Sequence, residues 1–177
     1  MTAVHLLPLG EVEPTILQAV AQGLETTLGV RCCALGTEPL PFFAYHDERG
    51  QYCATDILRW LLRSRASGDA KLLAVIQYDL FNPLFTFVFG ESQLGGRLAV
   101  FSTFRLREEH RGLQPDPGRL QARAAKEAIH EVGHTFGHKH CRDPECVMRF
   151  SESVGHIDLK RADFCRSCQA AHRALVR

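Results

Sequence analysis

The stretch His130-Glu131-Val132-Gly133-His134-Thr135-Phe136-Gly137-His138-Lys139-His140 decides the reading of this chain. It is HExxH extended by xxGxxH. On a helix, residues four apart lie one turn apart on the same face, so His130 and His134 can aim two imidazoles at one ion. Gly137 can take a left-handed conformation and end the helix, and the chain can then turn and return His140 as a third ligand. Three protein ligands with one open position make a catalytic zinc site. Glu131, beside His130, is placed to take a proton from a water made acidic by the metal as that water attacks a carbonyl. His138 is a rival third ligand. The motif sets its glycine three residues before the ligand, which selects His140 and leaves His138 as an exposed polar residue past the helix.

The helical register agrees with that division of labour. With Ile129 at zero and about 100° per residue, Ala125, Ile129, Val132 and Phe136 fall within roughly 300–360°. His130 and His134 fall at about 100–140°, nearly opposite. One face packs into a core and the other faces a cleft. Glu127 lies one turn before Glu131 on the cleft side; it reads as a solvated charge, with support of a metal ligand as the alternative.

Just beyond the histidines, four of the seven cysteines fall between Cys141 and Cys168. Cys165-Arg166-Ser167-Cys168 is a CxxC pair, and Cys141 and Cys146 form a second pair across an Asp143-Pro144 turn. Two close pairs joined by a spacer are how a tetrahedral four-cysteine zinc site is built. Two disulfides or free thiols are the alternatives. Cys32, Cys33 and Cys53 have no metal-like spacing to a histidine and read as buried small hydrophobes. His172, four past Cys168, is a weak alternative ligand.

Upstream, residues 4–7 read as a strand, 13–28 as a helix begun by Pro14 and ended by Gly29, and 30–35 as a strand. Residues 55–65 read as a helix, Lys71–Ile76 as a buried strand, and 85–89 and 98–103 as two more strands. Residues 108–119 read as a loop, 120–136 as the helix of the motif, and 158–176 as a last helix with Asp158 as its N-cap. Alternating strands and helices imply an α/β fold with a largely parallel sheet and an antiparallel edge from the late pair.

Composition sets the outer limits. Hydrophobic residues make up 45% and charged residues 23%, the mix of a folded soluble domain. A chain of 177 residues hides about 70% of its surface on folding, enough for one sizeable core and one domain. The net charge is +1, and residues 141–177 hold seven Lys/Arg against five Asp/Glu, which argues against a nucleic-acid partner. MTAVHLLPLGEVEPT has no basic start and no long apolar run, so it does not read as a secretory signal. No stretch has the roughly 18 apolar residues of a membrane span. The expected location is the cytoplasm, where disulfides are disfavoured and clustered cysteines bind metal.

The segment from Lys126 to Cys168, KEAIHEVGHTFGHKHCRDPECVMRFSESVGHIDLKRADFCRSC, resembles the archaemetzincins, a family of metzincin-type zinc peptidases. It has the extended zinc motif, a Cys directly after the third His, then Cys-Val-Met, then CxxC, in the family's order. The resemblance implies a zinc metallopeptidase acting on peptide or protein substrates. It implies catalytic zinc on His130, His134 and His140, with Glu131 as general base. It implies a second, structural zinc on Cys141, Cys146, Cys165 and Cys168, so two Zn²⁺ per chain. Met148 would be the Met-turn methionine beneath the catalytic zinc. The implied fold is a twisted mixed, mostly parallel sheet flanked by helices, with an active-site helix and a small zinc-stapled C-terminal subdomain. Residues 1–177 would form one metallopeptidase domain, with 1–137 as the upper part and 138–177 as the C-terminal subdomain. The substrate would pair with an antiparallel edge strand, for which residues 85–89 are the candidate.

Two positions depart from the family pattern. His138 stands where a Leu-like residue is expected, and Phe150 stands where some metzincins supply a tyrosine to the oxyanion. The competing function is a zinc-containing peptide- or protein-binding module without turnover.

Overall fold

A continuous apolar strand needs cover on both faces, and that need organises the molecule. The computed structural model describes residues 2–65 and 68–176. In chain order the elements are β1 (Ala3–Leu9), α1 (Pro14–Leu28), β2 (Arg31–Ala34), β3 (Tyr45–His46), β4 (Gln51–Cys53) and α2 (Ala54–Ser64). There follow β5 (Lys71–Ile76), β6 (Leu80–Asn82), β7 (Phe85–Val88), β8 (Gly90–Ser92), β9 (Leu98–Ser102), α3 (Pro117–Thr135), α4 (Val154–Leu159) and α5 (Arg166–Leu175).

The main sheet runs β2-β1-β5-β9-β8. Its first four strands are parallel and β8 is antiparallel to β9, pairing Gly90 with Phe101 and Ser92 with Ala99. The central strand β5 shows the two-sided logic. Leu73 and Val75 join a core with Val20 and Leu24 of α1 and Ile129 of α3. Leu72, Ala74 and Ile76 join the opposite core with Ile57, Leu58 and Leu61 of α2. Successive side chains of one strand thus glue different helices to the two faces.

Several expectations need correction. The antiparallel edge of the main sheet is Gly90–Ser92, one step beyond the expected 85–89. Phe85–Val88 belongs instead to a second sheet, ordered β3-β4-β6-β7, whose strands are only two to four residues long. Such runs are too short to show a period of two. The motif helix begins at Pro117 rather than residue 120, because the Asp116 carboxylate accepts the Arg119 N–H at 2.9 Å and caps it. Residues 108–119 are therefore only partly loop.

The expected last helix is two helices. The chain breaks after Leu159 because the backbone there pairs elsewhere: Arg161 donates to the Glu145 carbonyl and Val147 donates to the Asp163 carbonyl. Asp158 caps nothing. It accepts both Nε and Nη2 of Arg123 at 2.7 and 2.6 Å, and Arg123 also donates to Glu108. Arg123 is 1% exposed, so this fork ties α4 to the inner side of α3. Among the described residues, no helix is long and apolar enough to cross a membrane.

Ile129 is fully buried on the face of α3 opposite the histidines. Ile129→Ala is expected to lower unfolding free energy by about 2–5 kcal/mol in urea denaturation. A loss below about 1 kcal/mol would show that this face does not anchor the helix.

Candidate metal centre and substrate cleft

The cleft-facing side of α3 brings His130 and His134 together with their Nε2 atoms 3.1 Å apart. The His140 ring closes the group, its centre 5.3 Å from that of His130 and 4.9 Å from that of His134. Gly137, at φ 101°, makes the turn that allows this. One donor atom from each histidine lies within 4.8 Å of the others.

The protons on these rings follow from their partners. His130 Nδ1 lies 2.9 Å from the Val147 carbonyl, and His134 Nδ1 lies 2.6 Å from the His138 carbonyl. A carbonyl only accepts, so each Nδ1 carries the hydrogen and donates it. Each Nε2 therefore presents a bare lone pair, and the two lone pairs face each other. Burial holds all three histidines below their ordinary pKa, His130 furthest, which favours the neutral form that a metal ion requires. Two opposed acceptors with no proton between them fit a cation. Tetrahedral zinc with bonds near 2.05 Å would set such nitrogens about 3.3 Å apart.

Glu131 is buried beside them. Burial pushes its carboxyl up to about 8, against the opposing pull of a hydrogen bond from Ser92 Oγ at 2.6 Å. Ser92 comes from the edge strand β8. Gly90 on the same strand is required by close approach: a Cβ there would stand 2.6 Å from Glu131 Oε1 and 2.7 Å from the Val100 carbonyl. Met148 is fully buried against α3, its sulfur 2.6 Å from where a Cβ on Gly133 would stand.

The cysteines gather as well. The sulfurs of Cys141, Cys146, Cys165 and Cys168 lie within 4.8 Å of one another, and all seven cysteines are reduced. Cys141 and Cys165 Sγ are 3.7 Å apart, and a zinc tetrahedron with bonds near 2.3 Å has edges of about 3.8 Å. The Cys165 N–H points at Cys146 Sγ, 3.4 Å away. The Ser167 hydroxyl holds the Cys165 thiol down to about 6, towards the thiolate that binds metal.

A cleft of about 520 Å³ opens over the histidines. Phe85, Phe87 and Phe89 line it along one side and Phe150 along another. Phe150 lies 5.1 Å from the His140 ring and 6.2 Å from Phe85, ring centre to ring centre. β7 ends its sheet and β8 ends the main sheet, so the cleft is bordered by two consecutive edge strands.

Residues 43–173 match the model of peptidase family M54. The archaemetzincin of Methanocaldococcus jannaschii is 38% identical over 161 residues, covering 91% of this chain and 87% of that protein. The crystal structure of archaemetzincin from Methanopyrus kandleri superposes with a TM-score of 0.87 at 35% identity, covering 99% of this chain and 95% of that one. A zinc-dependent peptidase from Methanocorpusculum labreanum gives 0.88 at 29% identity, covering 96% and 99%. The chain belongs to peptidase family M54. It is a metallopeptidase of the archaemetzincin kind, with the mixed α/β fold of those structures.

In this M54 member His138 and Glu127 sit where the sequence did not put them. His138 is 4% exposed rather than solvated, and its ring turns away from the other three histidines to stack on Phe164. His172 lies with His138, outside the cysteine group. Glu127 is buried, not solvated, and lines the cleft with its Oε1 3.5 Å from Lys160 Nζ. Among the remaining cysteines, Cys53 is buried as expected, Cys32 is half-buried, and Cys33 is exposed on the edge strand β2. Ser92 and Lys160 carried no signal in the chain. A serine in a short strand and a lysine in an expected helix are unremarkable until β8 and the break after α4 aim them inward.

Burial pushes the Glu127 carboxyl up while the Lys160 ammonium pulls it down. Neither Glu127 Oε1 nor Lys160 Nζ has a hydrogen-bond partner among the described residues, so each relies on the other's charge. Lys160→Met is expected to lower stability by about 3–5 kcal/mol in denaturant unfolding, with Glu127→Gln/Lys160→Met recovering much of it. A Lys160→Met protein as stable as the parent would show that the pair does not hold the C-terminal segment.

Proposed function

We propose that this M54 member cleaves peptide bonds of peptide or protein substrates at a zinc held by His130, His134 and His140, with Glu131 as general base. The observation that carries the reading is the opposed pair of bare Nε2 atoms on His130 and His134, each fixed from behind by a backbone carbonyl. Zinc in such a site supplies a Lewis acid that polarises a carbonyl and makes water nucleophilic near neutral pH.

The chain's own residues do the rest. The two edge strands offer unpaired backbone groups to an extended peptide. Phe85 and Phe150 give that peptide apolar walls. Glu131 takes the proton of the attacking water and returns it to the leaving amine. Burial raises its proton affinity, which lets it hold the proton between the two steps, while a cation on the neighbouring histidines would favour the ionised carboxylate at the start. Ser92 keeps the carboxylate aimed. No tyrosine follows Met148, so that segment supplies no phenol to the oxyanion.

The reading includes a second, structural zinc on Cys141, Cys146, Cys165 and Cys168. It makes residues 138–177 a clamp that presents His140, since Cys141 is its neighbour in the chain. It places the protein in the cytoplasm, where those thiols stay reduced.

The test is cleavage of a peptide library by wild type and Glu131→Ala at equal zinc loading. Wild type is expected to cleave, and Glu131→Ala to lose at least about 100-fold in kcat. Failure of both to cleave while both bind peptides would favour a binding module and sink the enzymatic reading. For the clamp, Cys165→Ser is expected to lose zinc from both sites by metal analysis. An unchanged content of two zincs per chain would overturn the coupling.

A further inference from the structure

A chain of hydrogen bonds runs from the end of α1 to His134. His172 Nε2 lies 3.1 Å from the carbonyl oxygen of Leu28, the last residue of α1. That carbonyl can only accept, so His172 carries its proton on Nε2 and its Nδ1 is an acceptor. His138 Nε2 lies 3.1 Å from that Nδ1 and therefore donates to it. The His138 ring also stacks on Phe164, 4.6 Å away at 28°, and lies nearly coplanar with His172, centres 5.3 Å apart at 25°, as an in-plane N–H···N bond requires. The backbone carbonyl of the same residue accepts His134 Nδ1–H at 2.6 Å.

Every proton in this chain is assigned by the carbonyl at its far end. Both imidazoles are buried, and a buried polar ring is costly unless bonded, so the pair is held to one arrangement. A leucine at 138 could fill the space but could not fix the direction of its own carbonyl through a side-chain tether.

His172 stands on α5 four residues after Cys168, so the two share one face of that ten-residue helix, and Cys165 is the residue that caps its start. Whatever fixes the two thiols also fixes His172. This route to the histidine site is separate from the covalent one through Cys141 to His140.

We propose that His138 and His172 are positioning residues that lock the loop after Gly137, hold the His138 carbonyl on His134, and thereby couple the cysteine cluster to the second ligand of the histidine site. The proposal rests on the zinc site described above.

Its test uses the full chain loaded with zinc, and separately with Co²⁺, without reference to turnover. His172→Phe keeps an aromatic ring and removes both hydrogen bonds. His172→Gln keeps a donor and an acceptor at about the separation of the ring nitrogens. His138→Leu removes the same link from the other side and serves if His172→Phe does not fold. The readouts are the rate of metal loss to a chelator and the Co²⁺ spectrum, in which thiolate and imidazole sites absorb differently. His172→Phe and His138→Leu are expected to speed loss of the histidine-bound metal by about 10–100-fold. The thiolate bands should be unchanged, and His172→Gln should stay close to wild type. Wild-type release from both variants would overturn the proposal. So would equal acceleration at both sites in step with a falling Tm, the mark of a merely structural role. If His130→Ala loses no metal relative to wild type, the zinc-site reading itself fails, and that outcome is distinct from the others.

Discussion

Everything else in this structure is arranged around two imidazoles held nitrogen to nitrogen. With the hydrogens on Nδ1, the two Nε2 lone pairs repel each other at 3.1 Å unless a positive charge stands between them. The imidazoles are kept there because each ring is bonded from behind, by the Val147 carbonyl and by the His138 carbonyl. Neither carbonyl belongs to the α3 ladder. The helix supplies the spacing, and the chain beyond Gly137 supplies the orientation. That division explains why the last forty residues are so heavily tied down by thiols, by Arg123 and by Lys160.

Those ties share a feature. Arg123 with Asp158 and Lys160 with Glu127 are polar contacts whose α3 partner is buried. Val147, Met148, Ile157 and Phe164 bury the C-terminal segment in the core as well, but apolar contacts alone would let it slide. Directional bonds and charges fix its register on α3, and register is what a three-ligand site needs.

The site was far more legible in the chain than the surroundings that align it. HExxHxxGxxH and the paired cysteines could be read because helical spacing and CxxC are local and chemically distinctive. The parallel strands could be read because Lys71–Ile76 is an unbroken apolar run. The second sheet could not, since two- to four-residue strands leave no periodic trace. The break between α4 and α5 was hidden because residues 158–176 keep a helical pattern through it. Only the backbone pairing of Arg161 and Val147 with distant carbonyls interrupts the helix. Glu127 looked like a surface charge because burial is decided by what packs on top. His138 was assigned to solvent because a histidine after a helix-ending glycine usually goes there, and His172, thirty-four residues later, gives no local hint of the pairing.

The origin of the two orienting carbonyls has a consequence for how the protein matures during synthesis. A nascent chain that has emerged only as far as Thr135 already holds HExxH and can form its helix. It lacks His140, the Val147 and His138 carbonyls, and Lys160. The imidazoles are then free to rotate and to protonate. The cluster of three histidines with two oriented rings can therefore form only once the segment carrying those carbonyls has emerged and docked on α3.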